Sequence, residues 1–277
     1  MRLLACSDLH NNVACVRKLR AQEGNDYDAI AIAGDIGGNR GDEIFEVLRS
    51  FACPIVYVYG NWDRKLGYDQ SFGKGCHLIH LNAVKVGQLT FTGFSYPRGL
   101  DPRSGRPARH LSNGKYAEIC RRLVAKMLTE RRVDPRRTVF MSHHRTPRLT
   151  DVSPDLLLHL YGHVHRYEVL RRGPTTYVNL SALDRMRAVR PAGDTTMRPA
   201  DIRYVNAGNY SVIEIARSGR VDIECRLLQH AYAEWVDAPG HERLDGPLVP
   251  EETAFGDNVR TRESPRNESL RATQAQI

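Results

Sequence analysis

Residues that can hold metal ions recur in this chain where short apolar runs end. They are Asp8 and His10, Asp35, Asn61, His143, and His163 with His165, in five separate blocks. Carboxylate and imidazole ligands together suit divalent ions such as Mn²⁺, Zn²⁺ and Fe²⁺. In α/β folds the carboxyl ends of strands gather side chains from distant positions into one crevice. The pattern therefore predicts a metal site built from five loops.

The apolar runs also predict the elements that must position these residues. Strands are predicted at 2–6, 28–33, 54–59, 138–141, 156–161, 175–179 and 210–215, with two or three more between 77 and 96. Helices are predicted after Asn12, from about Asp42, and from 113 to 130. Alternating short apolar strands and helices indicate an α/β sheet with parallel pairs.

Each candidate ligand has an ordinary structural explanation when it is taken singly. Asp8 fits a helix N-cap, Asp35 a turn, and Asn61 a residue in the left-handed backbone region. His143 and His163 fit buried core histidines whose ring nitrogens are hydrogen-bonded. Glycines precede Asp35, Asn61 and His163, where they let the backbone turn sharply and bring the ligands close to one another. Five such blocks in one order, each after an apolar strand, favour metal binding over five unrelated coincidences.

The blocks D-x-H, G-D, G-N-x-D, H and G-H-x-H, between residues 8 and 165, resemble the motif set of the calcineurin-like metallophosphoesterase superfamily. The resemblance implies an α/β fold of four layers, a two-sheet mixed β sandwich flanked by helices. It implies two divalent metal ions (Mn²⁺, Fe²⁺ or Zn²⁺). Their ligands would be Asp8, His10 and His165 for the first ion, Asp35 as the bridge, and Asn61, His143 and His163 for the second. A metal-bound hydroxide would then attack phosphorus in line, with no covalent enzyme intermediate.

The third block departs from the family pattern. Relatives usually have Gly-Asn-His followed by an acid, whereas this chain reads Gly60-Asn61-Trp62-Asp63. The usual histidine is thought to protonate the leaving group, and an indole N–H cannot deliver a proton near neutral pH. His144 and His110 are weaker candidates for that proton, and strand alternation would turn His144 away from His143. The resemblance places Asp35, Asn61, Asp63 and His143 in the catalytic set.

Positive charge is concentrated in one segment. The net charge is +8, and residues 98–148 hold fourteen Lys or Arg against four Asp or Glu. Such a segment suits an anionic substrate or nucleic acid, although a solvated arginine-rich surface explains it equally well. Candidate phosphate contacts are Arg103, Arg106, Arg109, Arg145 and Arg148. Few aromatic residues accompany these arginines, so a stacking platform for single strands is poorly supported.

The composition of the chain predicts its domain organisation and its cellular location. One domain is predicted over residues 1–233, followed by a polar, flexible tail over 234–277. Six cysteines without a C-x-x-C pair indicate reduced core thiols. No apolar run reaches about 18 residues and no signal-like segment opens the chain, so we expect a cytoplasmic protein without a membrane span. The pattern does not determine the oligomeric state.

These features favour a dinuclear metal-dependent phosphoesterase that acts on phosphate esters, diesters ahead of monoesters, with a nucleotide as one candidate substrate. A metal-dependent nuclease is the first alternative, because of the basic segment. A non-catalytic protein-binding module on the same fold is the second. The intact ligand set argues against this module, since buried carboxylates and imidazoles without metal would be costly.

Overall fold

A computed structural model describes residues 1–96, 113–131, 133–146, 155–187, 204–205, 208–228 and 235–236. Its helices are α1 (Val13–Gln22), α2 (Gly41–Arg49) and α3 (Asn113–Glu130), with a 3-10 turn at Pro135–Arg137. Its strands are β1 (Arg2–Cys6), β2 (Ala29–Ile32), β3 (Ile55–Tyr57), β4 (Cys76–Leu78), β5 (Ala83–Val86), β6 (Leu89–Phe94), β7 (Thr138–Ser142), β8 (Leu158–Tyr161), β9 (Tyr167–Arg172), β10 (Thr175–Leu180), β11 (Met186–Arg187), β12 (Tyr204–Val205), β13 (Asn209–Ile215), β14 (Val221–Leu227) and β15 (Trp235–Val236).

Two six-stranded mixed sheets carry the fold. The first has the order β14-β13-β1-β2-β3-β4, and its strands β1 to β4 run parallel. The second has the order β5-β6-β7-β8-β10-β9, and its strands β6, β7, β8 and β10 run parallel. A small third sheet joins β11, β12 and β15. In the first sheet the antiparallel strands lie at one edge and the parallel strand β4 forms the other, whereas in the second sheet antiparallel strands form both edges.

Alternation along the strands explains how the layers pack. In β1, Leu3 and Ala5 belong to the core between the two sheets, whereas Leu4 and Cys6 pack with the residues of α1 and α2. Because successive strand side chains point to opposite faces, each central strand needs apolar residues at every position. On the outer face of the second sheet, Phe140 packs with buried residues of α3.

The predicted four-layer α/β arrangement is confirmed: helices, sheet, sheet, helix. The segment 76–94 divides between the sheets, because β4 joins the first sheet and β5 and β6 join the second. None of the described helices is both long and apolar enough to cross a membrane. The strand Trp235–Val236 begins the segment predicted as a tail, and residues 237–277 lie outside the described part of the chain.

Candidate metal centre

The seven predicted metal ligands follow the carboxyl ends of parallel strands. Asp8 and His10 come after β1, Asp35 after β2 and Asn61 after β3 in the first sheet, while His143 comes after β7 and His163 and His165 after β8 in the second. Backbone hydrogen bonds connect these loops: His10 N–H donates to Asp35 O over 2.9 Å, and Gly162 N–H donates to His143 O over 3.0 Å. All seven side chains are brought to one end of the sandwich.

One group of ligand atoms surrounds a single carboxylate oxygen of Asp8. His165 Nε2 lies 3.1 Å from Asp8 Oδ1, and His10 Nε2 lies 3.8 Å from it. The ligand atoms of these three residues all lie within 4.8 Å of one another. This geometry suits one divalent ion.

The second group centres on His143 Nε2. It lies 3.2 Å from Asp35 Oδ2, 2.9 Å from Asn61 Oδ1 and 3.2 Å from His163 Nδ1. Asp35 Oδ2 also lies 3.3 Å from His10 Nε2, in the first group. The Asp35 carboxylate is therefore situated between the two groups, where a ligand shared by two ions must be.

The residues present fit a divalent cation. Asp8 Oδ1 is buried and, among the described residues, has no donor in hydrogen-bonding geometry. Imidazole nitrogens of His10, His143 and His165 nevertheless lie 3.1 to 4.0 Å from it. A buried carboxylate oxygen faced by several imidazole nitrogens is the arrangement expected of metal ligands, whose lone pairs converge on an ion.

Outer hydrogen bonds fix which histidine nitrogens face the centre. His143 Nδ1–H donates to the Ala33 carbonyl oxygen over 2.9 Å, which leaves Nε2 as the ligand atom. His10 Nδ1–H donates to Asp184 Oδ2 over 2.9 Å, with the same consequence. Such partners hold the ring orientation and raise the basicity of a ligating histidine.

Asp184 is a site residue that the sequence analysis missed. It lies 174 positions from His10 in sequence, at the end of the loop after β10, and it is buried. Its backbone N–H donates to the Asp8 carbonyl oxygen over 3.3 Å, so the loop itself is held against the centre. A signal was present, because Ser181–Asp184 follows an apolar strand just as the other ligand loops do.

The ligand loops adopt an unusual backbone. Five of the predicted ligands have positive φ: Asp8 (54°), His10 (47°), Asp35 (51°), His163 (73°) and His165 (54°). This left-handed region is sparsely populated by residues other than glycine, and it persists only where the surroundings enforce it. Its concentration at these loops supports a functional assignment for this end of the sandwich.

Two glycines are required by close approach. A methyl group on Gly60 would overlap the Asp35 carboxylate, and one on Gly162 would overlap the side chains of Ser7 and Asp8. The sequence predicts both a sharp turn and a close approach at these positions. Neither glycine has positive φ, so close approach is the reason, whereas Gly34 combines it with a φ of 94°.

The aspartates of the centre favour protons on two of its histidines. Burial disfavours the charged His143 imidazole, but Asp8 and Asp35 outweigh burial and raise its pKa to about 9. Burial likewise opposes charge on His10, yet hydrogen bonds to Asp184 and Asp35 raise its pKa to about 10. Burial alone would raise the pKa of Asp35, but hydrogen bonds from the same two histidines lower it.

His163 differs from the other two histidines. It is half-buried, and burial together with the neighbouring charge of His143 lowers its pKa to about 4. Its ring is therefore neutral at physiological pH, with a lone pair already available. His163 is also held through its backbone, since its N–H donates to Asp8 Oδ2 over 2.9 Å.

Trp62 and Asp63 hold the ligand loops in place through hydrogen bonds. Asp63 is fully buried, and its two carboxylate oxygens accept the backbone N–H groups of Gly37 (2.7 Å) and Gly60 (2.6 Å). Trp62 N–H donates to Asp35 Oδ1 over 2.7 Å, and the indole lies against the His10 ring at a centroid distance of 4.7 Å. Trp62 thus covers one side of the first ligand group.

The other predicted contacts have mixed outcomes. His144 lies on the side of the centre, because β7 ends at Ser142 and strand alternation no longer applies; its ring centroid is 5.0 Å from that of His163. Arg145 is half-buried, and its charge acts to lower the pKa of the nearby Tyr161 hydroxyl. His110, Arg103, Arg106, Arg109 and Arg148 lie outside the described residues.

Comparison with known proteins decides the family. The model of the calcineurin-like phosphoesterase superfamily domain matches residues 1–201. The chain belongs to the calcineurin-like phosphoesterase superfamily. This superfamily generally consists of phosphoesterase hydrolases that use divalent metals, and it includes members without enzymatic activity. Among curated proteins, no sequence matches this chain closely enough to count as a relative.

Several solved structures are similar to this chain. TT1561 of Thermus thermophilus shares the fold, at 16% identity and a TM-score of 0.53, over 80% of this chain and 97% of that one. A predicted phosphoesterase from Streptococcus pneumoniae TIGR4 is 16% identical with a TM-score of 0.36, over 81% and 97%. Phosphopantetheinyl hydrolase from Mycobacterium tuberculosis is 17% identical with a TM-score of 0.40, over 65% and 88%.

Proposed function

We propose that this superfamily member is a dinuclear metal-dependent phosphoesterase that hydrolyses phosphate esters, with diesters preferred to monoesters. The observation that carries the proposal is the position of Asp35 Oδ2, 3.3 Å from His10 Nε2 and 3.2 Å from His143 Nε2. Two bound divalent ions would supply Lewis acidity to the phosphoryl oxygens and lower the pKa of the attacking water.

The residues of the chain would divide the work of holding this centre. Asp8, His10 and His165 would hold the first ion, Asn61, His143 and His163 would hold the second, and Asp35 would be shared by both. Asp184 orients His10 through its carboxylate, and Ala33 orients His143 through its carbonyl oxygen. Asp63 is a positioning residue, because both its oxygens are used to fix the loops that carry Asp35 and Asn61.

The preference for aryl over alkyl esters rests on Trp62. The indole next to His10 cannot protonate a leaving group, so esters whose alcohol leaves readily without a proton are the favoured substrates. The preference for diesters rests on charge, because a diester carries one negative charge less than a monoester and an attacking anion would meet less repulsion at its phosphorus. Aryl diesters therefore suit the proposed centre best among simple phosphate esters.

Metal content of the purified full chain tests the dinuclear proposal. We expect about two divalent ions per chain after incubation with Mn²⁺, and clear loss from both sites in Asp35→Asn, because the charge common to both is removed. Asp222→Asn is the matched control, since Asp222 is exposed on β14. Binding of a single ion, or equal metal content in Asp35→Asn and Asp222→Asn, would contradict the bridging role.

A substrate panel tests the reaction. The panel holds an aryl diester, an aryl monoester, a cyclic nucleotide and single-stranded DNA, each with Mn²⁺. We expect the aryl diester to be cleaved faster than the monoester. Cleavage of DNA above all other substrates would favour the nuclease alternative, and metal binding without turnover of any ester would favour a non-catalytic module.

A further inference from the structure

Two exposed apolar side chains flank the metal ligands. Among the described residues, the large apolar side chains with high exposure are Trp62 (51%), Tyr68 (45%) and Val164 (43%). Trp62 directly follows Asn61, and Val164 lies between His163 and His165. Scattered exposed apolar residues need no explanation, but two beside the same set of ligands do. We call Trp62 and Val164 the rim.

The Trp62 indole is held beside the centre while its surface stays accessible. Its backbone is anchored by the hydrogen bond to Asp35, and its ring lies 4.7 Å from the His10 ring at an interplanar angle of 58°. The His10 ring in turn lies 4.9 Å from the His165 ring. The indole therefore lies beside two predicted metal ligands, within reach of a group attached to a phosphate at those ligands.

The charges of the same loops indicate the kind of ligand. Arg64 and Lys65 follow Asp63, and Arg166 follows His165, and all three are exposed. These cations attract anionic ligands and would give no advantage to an acyl chain or to an apolar peptide. An exposed indole in the same loop as Arg64 and Lys65 suits a ligand that combines a planar ring with phosphate, since every nucleobase has a π face on which stacking is possible.

We propose that Trp62 is a stacking platform for the base of a nucleotide, with Val164 as a second apolar contact, so that the substrate is a nucleoside phosphodiester. This inference rests on the proposed function, because it places the phosphate of that nucleotide at the metal ligands. Trp62 then determines specificity, in addition to being unable to act as a proton donor.

Calorimetric titration of the full chain loaded with Zn²⁺ tests the platform. The probes are adenosine 5′-monophosphate and ribose 5-phosphate, which share a sugar phosphate and differ by the base. We expect the nucleotide to bind about 5- to 150-fold more tightly, the range given by one stacked base. Trp62→Ala should abolish this difference and Trp62→Phe should retain part of it. Tyr68→Ala should leave the difference in affinity unchanged, because the Tyr68 ring stacks on His80, which is not a predicted metal ligand.

Fluorescence gives a direct readout. The chain has two tryptophans, Trp62 and Trp235, so Trp235→Phe leaves the platform as its one indole. The nucleotide should quench this emission and ribose 5-phosphate should not. Equal binding of the two probes, or unchanged nucleotide binding in Trp62→Ala, would overturn the platform.

Hydrolysis of an aryl diester on the same preparation separates the two proposals. If the protein cleaves the aryl diester but binds the nucleotide no more tightly than ribose 5-phosphate, the stacking proposal is wrong and the proposed function stands. If the protein binds no metal and cleaves no ester, both the proposed function and the stacking proposal are wrong.

Discussion

The candidate metal centre has a floor and a rim that differ in burial and in charge. The floor consists of Asp8, Asp35 and His143, with side chains that are 0 to 2% exposed and linked to several neighbouring loops. The rim consists of Trp62 and Val164, which are 51% and 43% exposed. The floor is made of charged groups that depend on one another, whereas the rim offers apolar surface to whatever enters.

This difference separates two properties of the proposed enzyme. A change in the floor alters several charges and hydrogen bonds at once, because Asp35 alone contacts both His10 and His143. A change at the rim removes contacts with a ligand and leaves the buried charges in place. We therefore expect floor variants to lose metal and rim variants to change selectivity.

The largest effect is expected for Gly162→Ala. The added methyl group would overlap the side chains of Ser7 and Asp8, and overpacking of this kind costs about 1–3 kcal/mol in the free energy of unfolding. Because Asp8 belongs to the floor, bound metal should fall with stability. Thermal unfolding and metal content measure the two effects.

Gly24→Ala is the control for this variant, since Gly24 is exposed and an added methyl group would meet only the end of the Asp26 side chain, 3.3 Å away. A Gly162→Ala protein as stable and as rich in metal as Gly24→Ala would show that the floor tolerates displacement of Asp8.

The affinity for metal should rise steeply with pH. In the metal-free protein His10 and His143 have raised pKa values of about 10 and 9, so both are protonated at pH 7 and must release their protons to a metal ion. His163, with its pKa of about 4, is already neutral. Loss of two protons predicts an increase of about 100-fold in affinity per pH unit below pH 8.

Competition with a chelator at pH 6, 7 and 8 measures this slope, and calorimetry in two buffers of different ionisation enthalpy counts the released protons. The sign follows from the direction of the shifts, because raised pKa values make protons stronger competitors as pH falls. An affinity independent of pH would show that His10 and His143 are neutral in the metal-free chain.

Asp184→Ala should have an intermediate effect. The substitution removes the acceptor that holds His10 Nδ1–H, and losing such an outer partner typically costs about 10- to 100-fold in metal affinity. Asp184→Asn keeps an oxygen acceptor without the charge and should recover part of the loss. Metal affinity in Asp184→Ala equal to that of the wild type would remove Asp184 from the centre.

The smallest effect on metal content is expected at Trp62, where the effect should be on selectivity. The wild-type rate should depend steeply on the pKa of the leaving group, because Trp62 cannot donate a proton. Trp62→His should raise activity on alkyl monoesters relative to aryl diesters, whereas Trp62→Ala should keep the steep dependence. All three proteins should bind the same amount of metal.

A plot of rate against leaving-group pKa for the three proteins is the measurement. If Trp62 merely closes the centre to large substrates, Trp62→Ala admits bulkier esters with no other change. A flat plot for the wild type would refute the missing proton donor.

Much of the fold and of the ligand set could be predicted from the sequence, because both are encoded locally. Central strands are buried on both faces, so they appear as continuous apolar runs, and the polar residue after each run marks a loop at the sheet edge. Asp8, Asp35 and His163 follow this rule, and the structure brings them together with the other four predicted ligands.

Tertiary structure alone decided the features that depend on distant segments. The pairing of Asp184 with His10 joins residues 174 positions apart, which no local pattern encodes. His144 lies beside His163 because β7 ends at Ser142, so strand alternation does not apply to His143 and His144. The exposure of Trp62 depends on which loops pack around it. Strand periodicity is a property of neighbouring residues, whereas these contacts arise only when the two sheets meet.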